Sequence, residues 1–156
     1  MTERILIPTD GSETANAAVE KALELAELYD AEVHVLFVVD TTSMGITLGP
    51  EQVERVQNGK FGEMEDLEDK ARTATGRVAE QARELGLVAE EHFRAGRPAT
   101  VISHAADDLD VGMVVMGSHG RSGVTRAILG SVTEHVLRET DRPVLVVDQR
   151  READDE

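Results

Sequence analysis

The chain has 156 residues, of which 40% are hydrophobic and 30% charged, a size and balance that suit one soluble globular domain with a single core. Its net charge of −15, from 31 acidic against 16 basic residues, repels nucleic acid and anionic lipid and argues against either as a general partner. With no cysteine, no tryptophan and 3% aromatics, the composition excludes disulfide frameworks, thiolate catalysis, cysteine-held metals and an aromatic platform for stacked bases.

Arg4-Ile5-Leu6-Ile7 reads as a short strand that ends in the turn chemistry of Pro8-Thr9-Asp10-Gly11-Ser12. That apolar run is far too short for a signal peptide, and no later one approaches the roughly 18 residues needed to span a bilayer, so a cytoplasmic protein is expected. Ala15, Ala18, Val19, Ala22, Leu25, Ala26 and Tyr29 form one helical face, with Ser12 as a plausible N-cap. Val33 to Val39 is almost unbroken apolar, the mark of a strand buried on both faces of a parallel sheet. Thr41 to Gly62 is the least legible stretch, with one short helical candidate at Glu51 to Val56; a lid, a dimer contact and a disordered segment all fit it.

Met64 to Leu85 returns to helical spacing, with Leu67, Ala71, Ala74, Val78, Ala82 and Leu85 on one face and Gly86 closing it. Val88 to Ala95 is a charged, weaker strand suited to a sheet edge. Pro98 opens a helix that turns Val101, Ile102, Ala105 and Leu109 inward. Val111 to Met116 is a second buried strand, a helix is predicted from about Val132 to Arg138, and Pro143 to Val147 is the last strand. Residues 1–148 are read as the domain and 149–156 as an acidic, solvated tail.

Alternation of this kind specifies an α/β fold: one doubly wound, five-stranded parallel sheet with helices on both faces, in the order 3-2-1-4-5. Strands 1 and 4 are then neighbours where the winding reverses, and ligands of such folds bind there, at the carboxyl ends of the strands. The loops at those two ends are Pro8 to Ser12 and the glycine-rich stretch after Met116. In the latter, Gly117, Gly120 and Gly130 precede Ser131-Val132-Thr133-Glu134, a capping-box sequence that announces a helix. Glycines let backbone N–H groups approach an anion, and a helix N-terminus adds free donors and the positive end of its dipole. The chain contains neither GxxxxGK[ST] nor GxGxxG. Taken singly, Gly117 fits a tight turn, Ser131 a helix cap, and Asp10 a turn residue or cap.

The joint spacing of Gly117, Gly120, Gly130 and Ser131 resembles the ATP-binding branch of the universal stress protein family, marked by Gly-x2-Gly-x9-Gly-Ser/Thr. The resemblance runs over nearly the whole chain, through ILIPTDGSETANAAVEKALELA, VVMGSHGRSGVTRAILGSVTEHVL and PVLVV. It implies a Rossmann-like fold, similar to that of the adenine nucleotide alpha hydrolases, with ATP as ligand. Pro8 and Thr9 would shape the loop beside the ribose, and Asp10 would accept the ribose hydroxyls. The backbone of Val38 would read the adenine. Met116 and Gly117 would line the ribose side, with Gly120, Gly130, Ser131, Val132 and Thr133 on the phosphates. Arg121 is a candidate phosphate clamp, and His119 beside it is either a proton donor or an exposed spectator. Magnesium or manganese would ride on the phosphates rather than on a protein cage; His34, His92, His104 and His135 read as scattered, so no metal ligands and no catalytic residues are assigned.

The implied function is a nucleotide-dependent stress or signalling module with at most slow ATP hydrolysis; the alternative is an enzyme that hydrolyses ATP or transfers adenylyl groups in the same pocket. The phosphate loop offers no lysine and no obvious base, which favours the module. A homodimer through Pro143 to Val147, an apolar edge strand, is expected as well. Only Lys21, Lys60 and Lys70 are lysines, and an acidic, lysine-poor surface resembles proteins adapted to a salt-filled cytoplasm. On that reading, unfolding followed at increasing KCl shows stability rising toward molar salt; a flat profile contradicts it.

Overall fold

The computed structural model describes residues 3–11, 13–45, 47–60, 65–118 and 129–148. In chain order the elements are β1 (Arg4–Pro8), α1 (Glu13–Tyr29), β2 (Glu32–Asp40), α2 (Thr41–Met44), α3 (Pro50–Gln57), α4 (Glu65–Glu84), β3 (Ala89–Gly96), α5 (Pro98–Asp108), β4 (Met113–Gly117), α6 (Ser131–Glu139) and β5 (Val144–Val147). The five strands form one parallel sheet in the order β3-β2-β1-β4-β5. The expected order and the edge position of the last strand therefore both hold.

Side chains alternate across this sheet, and each face meets a different pair of helices. Ile5, Ile7, Val33, Val35 and Val115 pack against Ala18, Val19, Ala22, Leu23 and Ala26 of α1 and Val78, Ala79 and Ala82 of α4. On the opposite face, Leu6, Leu36, Val114 and Met116 meet Ala99, Ile102, Ala105 and Ala106 of α5 and Val136 of α6. A satellite cluster joins Phe37, Val39 and Phe93 to Val56 of α3 and Ala71 and Ala74 of α4. The central strands are thus buried on both sides, which accounts for their unbroken apolar sequence.

Three helix-to-strand junctions share one device. After α1, Ala31 N–H donates to the Ala26 carbonyl at 2.8 Å; after α4, Leu87 donates to Ala82 at 3.0 Å; after α5, Val111 donates to Ala106 at 3.1 Å. The turning residues Asp30, Gly86 and Asp110 have φ of 52°, 80° and 50°, so each helix ends in a Schellman motif. In each case the two residues joined by that bond are buried together. This corrects two core assignments. Tyr29 and Leu85 each stand just before the left-handed residue and are 61% and 43% exposed, while Ala31 and Leu87 take up the inward positions.

Other expectations shift by a residue or two at their ends. The helical candidate in 41–62 extends to α3, and the four-residue α2 precedes it, capped by Asp40, whose carboxylate accepts from Ser43 N–H at 2.9 Å. Pro98 occupies the first turn of α5, as its missing N–H favours. Ser12, Met64 and the tail 149–156 lie outside the described residues. Among the described residues, no helix is long and apolar enough to cross a membrane.

Candidate functional site

The site is built where β1 stops following β4. Thr9 N–H donates to the Leu36 carbonyl at 2.9 Å, whereas the Arg4 carbonyl accepts from Gly112 N–H at 2.8 Å. In a parallel strand both backbone groups of a residue point to the same neighbour, so odd positions of β1 face β2 and even ones face β4. Among the described residues the β1–β4 ladder consists of Ile5 with Met113 and Leu6 with Val114. The next even position is Pro8, which has no N–H to offer β4. Past that point β4 continues to Gly117 while β1 enters its loop, and the two strands part.

Thr9 is buried in the first loop, and its hydroxyl accepts from Gly11 N–H at 3.1 Å, which tightens the turn around half-buried Asp10. Gly11 has φ +80°, a conformation glycine adopts without strain. On the neighbouring strand the β1–β2 ladder ends at Pro8 with Leu36. Even positions of β2 aim their backbone toward β1, as Leu36 does, so Val38 presents its N–H and C=O toward the β1 side beyond the last paired residues. Its side chain packs into the core under α5.

The second loop is anchored at both ends. Met116 is buried, and Gly117 closes β4 opposite Val147. Ser118, which the sequence did not single out, ties several segments together: its N–H donates to the Val147 carbonyl at 3.0 Å, its carbonyl accepts from Gly130 N–H at 2.8 Å, and its hydroxyl donates to Asp148 at 2.9 Å. Thr133 is buried and its hydroxyl donates to the Gly117 carbonyl at 2.9 Å. These bonds lock the start of α6 against the end of β4.

One expectation is corrected here. Ser131 is not the N-cap of α6 and forms no capping box; the cap is Gly130, and Ser131 is the first helical residue. Gly130 has no side chain with which to satisfy the first N–H groups of the helix, and Glu134 N–H is the one that bonds back to the Gly130 carbonyl, at 3.0 Å. Among the described residues no group accepts from the donors of Ser131, Val132 and Thr133, and a helix N-terminus of this kind favours negative charge. Ser131 is exposed and Val132 half-buried.

The structure thus brings Pro8, Thr9, Asp10, Val38, Met116, Gly117, Gly130, Ser131, Val132 and Thr133 to the carboxyl end of the sheet, around the reversal between β1 and β4. Gly120, Arg121 and His119 lie outside the described residues. A second correction concerns the histidines. His104 and His135 are exposed and separate, but His34 and His92 are not scattered: the β2–β3 register makes them neighbours, 2.9 Å apart between ring nitrogens.

The model of the universal stress protein family matches residues 1–148. The chain belongs to the universal stress protein family. It is 32% identical to universal stress protein MJ0531 of Methanocaldococcus jannaschii over 146 residues, covering 93% of this chain and 81% of that protein. To universal stress protein MJ0577 of the same organism it is 30% identical over 160 residues, covering 96% and 97% of the two chains. The solved structure of MJ0577 superimposes with a TM-score of 0.77 over 97% of this chain and 99% of that one. A universal stress protein solved in complex with cAMP has the same fold, at a TM-score of 0.65 and 21% identity over 94% and 97% of the chains.

In this family member the Thr133 hydroxyl is a structural tie. Thr133→Val keeps the shape but strands the Gly117 carbonyl, which costs about 1–3 kcal/mol. Denaturant unfolding of Thr133→Val should show that loss with an unchanged slope, and Thr133→Ser should recover most of it.

Proposed function

We propose that this chain is a nucleotide-binding stress module that takes ATP into the β1–β4 crevice, hydrolyses it slowly at most, and offers the bound state to a protein partner. The observation that carries the reading is the meeting of two loops at the reversal point: the Thr9-braced turn holding Asp10 and the bare N-terminus of α6 behind Gly130. An anion fits the second, since first-turn N–H groups that no described residue caps and the helix dipole both favour it. A ribose fits the first, because a carboxylate accepts from two hydroxyls.

In this reading the adenine takes the Val38 backbone, and Pro8 and Thr9 form the floor beside Asp10. Met116 and Gly117 line the ribose side, with Gly120, Arg121, Gly130, Ser131, Val132 and Thr133 around the phosphates. Because the Thr133 hydroxyl is engaged by the Gly117 carbonyl, its share of the phosphate contact falls to its backbone N–H. Any magnesium or manganese is carried on the phosphates. That the cAMP complex has this fold makes an adenine nucleotide a ligand class the fold accommodates; the assignment to this chain rests on its own residues.

Gly130→Asp tests it. Gly130 has φ −62° and ψ 151°, a conformation any residue adopts, and aspartate is a preferred N-cap. Gly130 is itself buried, so the fold of the variant is checked by circular dichroism; a folded variant places a carboxylate where the phosphates are proposed to sit. Purified protein, denatured and its supernatant run on ion exchange, should yield about one ATP per chain, and the variant none. Equal nucleotide in both overturns the placement, an empty protein that ignores added ATP in molar KCl overturns the reading, and turnover of several per second favours the enzyme.

We also infer a homodimer through Pro143 to Val147. β5 is an outer strand whose four residues, Val144 to Val147, are all apolar and half-buried, and an edge of that kind invites pairing with its own copy. Light scattering at micromolar protein in high salt should give twice the chain mass; a monomer removes the inference.

A further inference from the structure

Beside the opposite edge of the sheet lies a cluster that the nucleotide reading does not use. Strand register sets His34 directly across from Glu90, with His92 two residues further along β3. All three stand on even positions of β2 and β3, on the α5 side of the sheet. His34 is almost fully buried, His92 is about one-fifth exposed, and Glu90 is open to solvent. The two rings stack with centroids 5.2 Å apart.

His34 Nδ1 lies 2.9 Å from His92 Nε2, His34 Nδ1 lies 3.5 Å from a Glu90 carboxylate oxygen, and His92 Nε2 lies 3.8 Å from the same oxygen. A tetrahedral ion with bonds of about 2.0–2.1 Å separates its ligand atoms by about 3.3–3.4 Å. The three separations bracket that edge, and a few tenths of an ångström of movement closes the set.

The proton count favours a cation as well. On its far side, His34 Nε2 lies 3.2 Å from Glu32, which can only accept, so the neutral imidazole carries its proton there and turns a lone pair on Nδ1 toward His92. Glu32 is itself held by Arg4 at 3.4 Å. A carboxylate behind the ligating ring, fixing its tautomer, is the usual support of a metal-bound histidine. Without an ion, one hydrogen must fill the gap between His34 and His92; an ion takes its place once the His92 proton moves to Nδ1. Glu90 offsets part of a divalent charge, while Glu32, paired with Arg4, steadies the His34 imidazole.

We propose that His34, His92 and Glu90 form a binding site for a divalent transition ion of the zinc class, with Glu32 as its positioning residue. Two imidazoles and one carboxylate select zinc-like ions over magnesium or calcium, which prefer oxygen donors throughout. Three protein ligands leave a fourth position to water or an anion. An open groove of about 270 Å3, lined by Gln57, Glu91, His92, Phe93, Arg94 and Asp108, gives access from solvent at the β3 edge. The site stands apart from the proposed nucleotide crevice and does not depend on it.

The test is zinc titration of the full chain, stripped of nucleotide so that no phosphate carries metal. Molar KCl and millimolar magnesium are included to occupy the acidic surface. One zinc per chain is expected, and cobalt should give the intense visible absorption of a tetrahedral site. His34 is buried, so the variants are His92→Gln and Glu90→Gln, checked for fold by circular dichroism. Each should weaken zinc by at least about 100-fold, while Glu32→Gln costs about 10–100-fold and Gly130→Asp nothing. Absence of stoichiometric zinc in the unaltered protein, or unchanged binding in both His92→Gln and Glu90→Gln, overturns the proposal; in that case the pair is a hydrogen-bonded histidine couple.

Discussion

A missing hydrogen on one backbone nitrogen shapes the working end of this molecule. β1 is the central strand, zipped to β2 as far as Pro8 but to β4 only through Leu6. Pro8 cannot donate at the next position facing β4, so two strands that would otherwise continue side by side part company. The ribose and phosphate sites proposed above flank the gap this creates, with the Thr9 turn on one wall and Gly117 and the start of α6 on the other. A residue with an N–H at position 8 would let the ladder run on toward the space the ligand needs.

The rest of the scaffold keeps that gap in register. Ser118 fastens the end of β4 to β5 and to Gly130, and Thr133 fastens α6 back to Gly117. The helix N-terminus is therefore aimed by bonds to a strand. At the other end of the sheet the repeated Schellman turns bring three helices into three strands with the same geometry. Arg142 adds a further clasp there, binding Asp107 at 3.2 Å, Asp110 at 2.9 Å and the Val111 carbonyl at 3.0 Å. Those contacts hold Asp110 below its usual carboxylate range, chiefly through the Arg142 hydrogen bond.

Much of the fold was legible because its signals are local. Short apolar runs rich in β-branched residues, such as Val33 to Val39, favour strands buried on both faces, and handedness then leaves few strand orders. What misled was equally local: Tyr29 and Leu85 continue the helical period, yet the αL residue after each redirects the chain before the side chain can face the core. The serine of Ser131-Val132-Thr133-Glu134 matched a capping box, but the glycine before it took the cap. The neighbourhood of His34 and His92 depended on a pairing 58 residues apart, and no spacing in the sequence announces a register of that kind. Ser118 was overlooked because its bonds to Val147 and Asp148 form only once β5 is in place.

The placement of β1 at the centre also has a history in synthesis. In the order of synthesis β2 follows β1 closely, but the other partner of β1, β4, is made roughly 110 residues after Ile5. At about 5–20 residues per second, one side of Ile5-Leu6-Ile7 waits on the order of 5–20 s for its neighbour. A nascent edge of that composition is a template for stray strands, and short length together with charged flanks is how such edges are kept harmless. Glu3 and Arg4 on one side and Pro8 on the other leave only three apolar residues between them. The proline that opens the crevice in the finished protein thus shortens the sticky edge of the unfinished one.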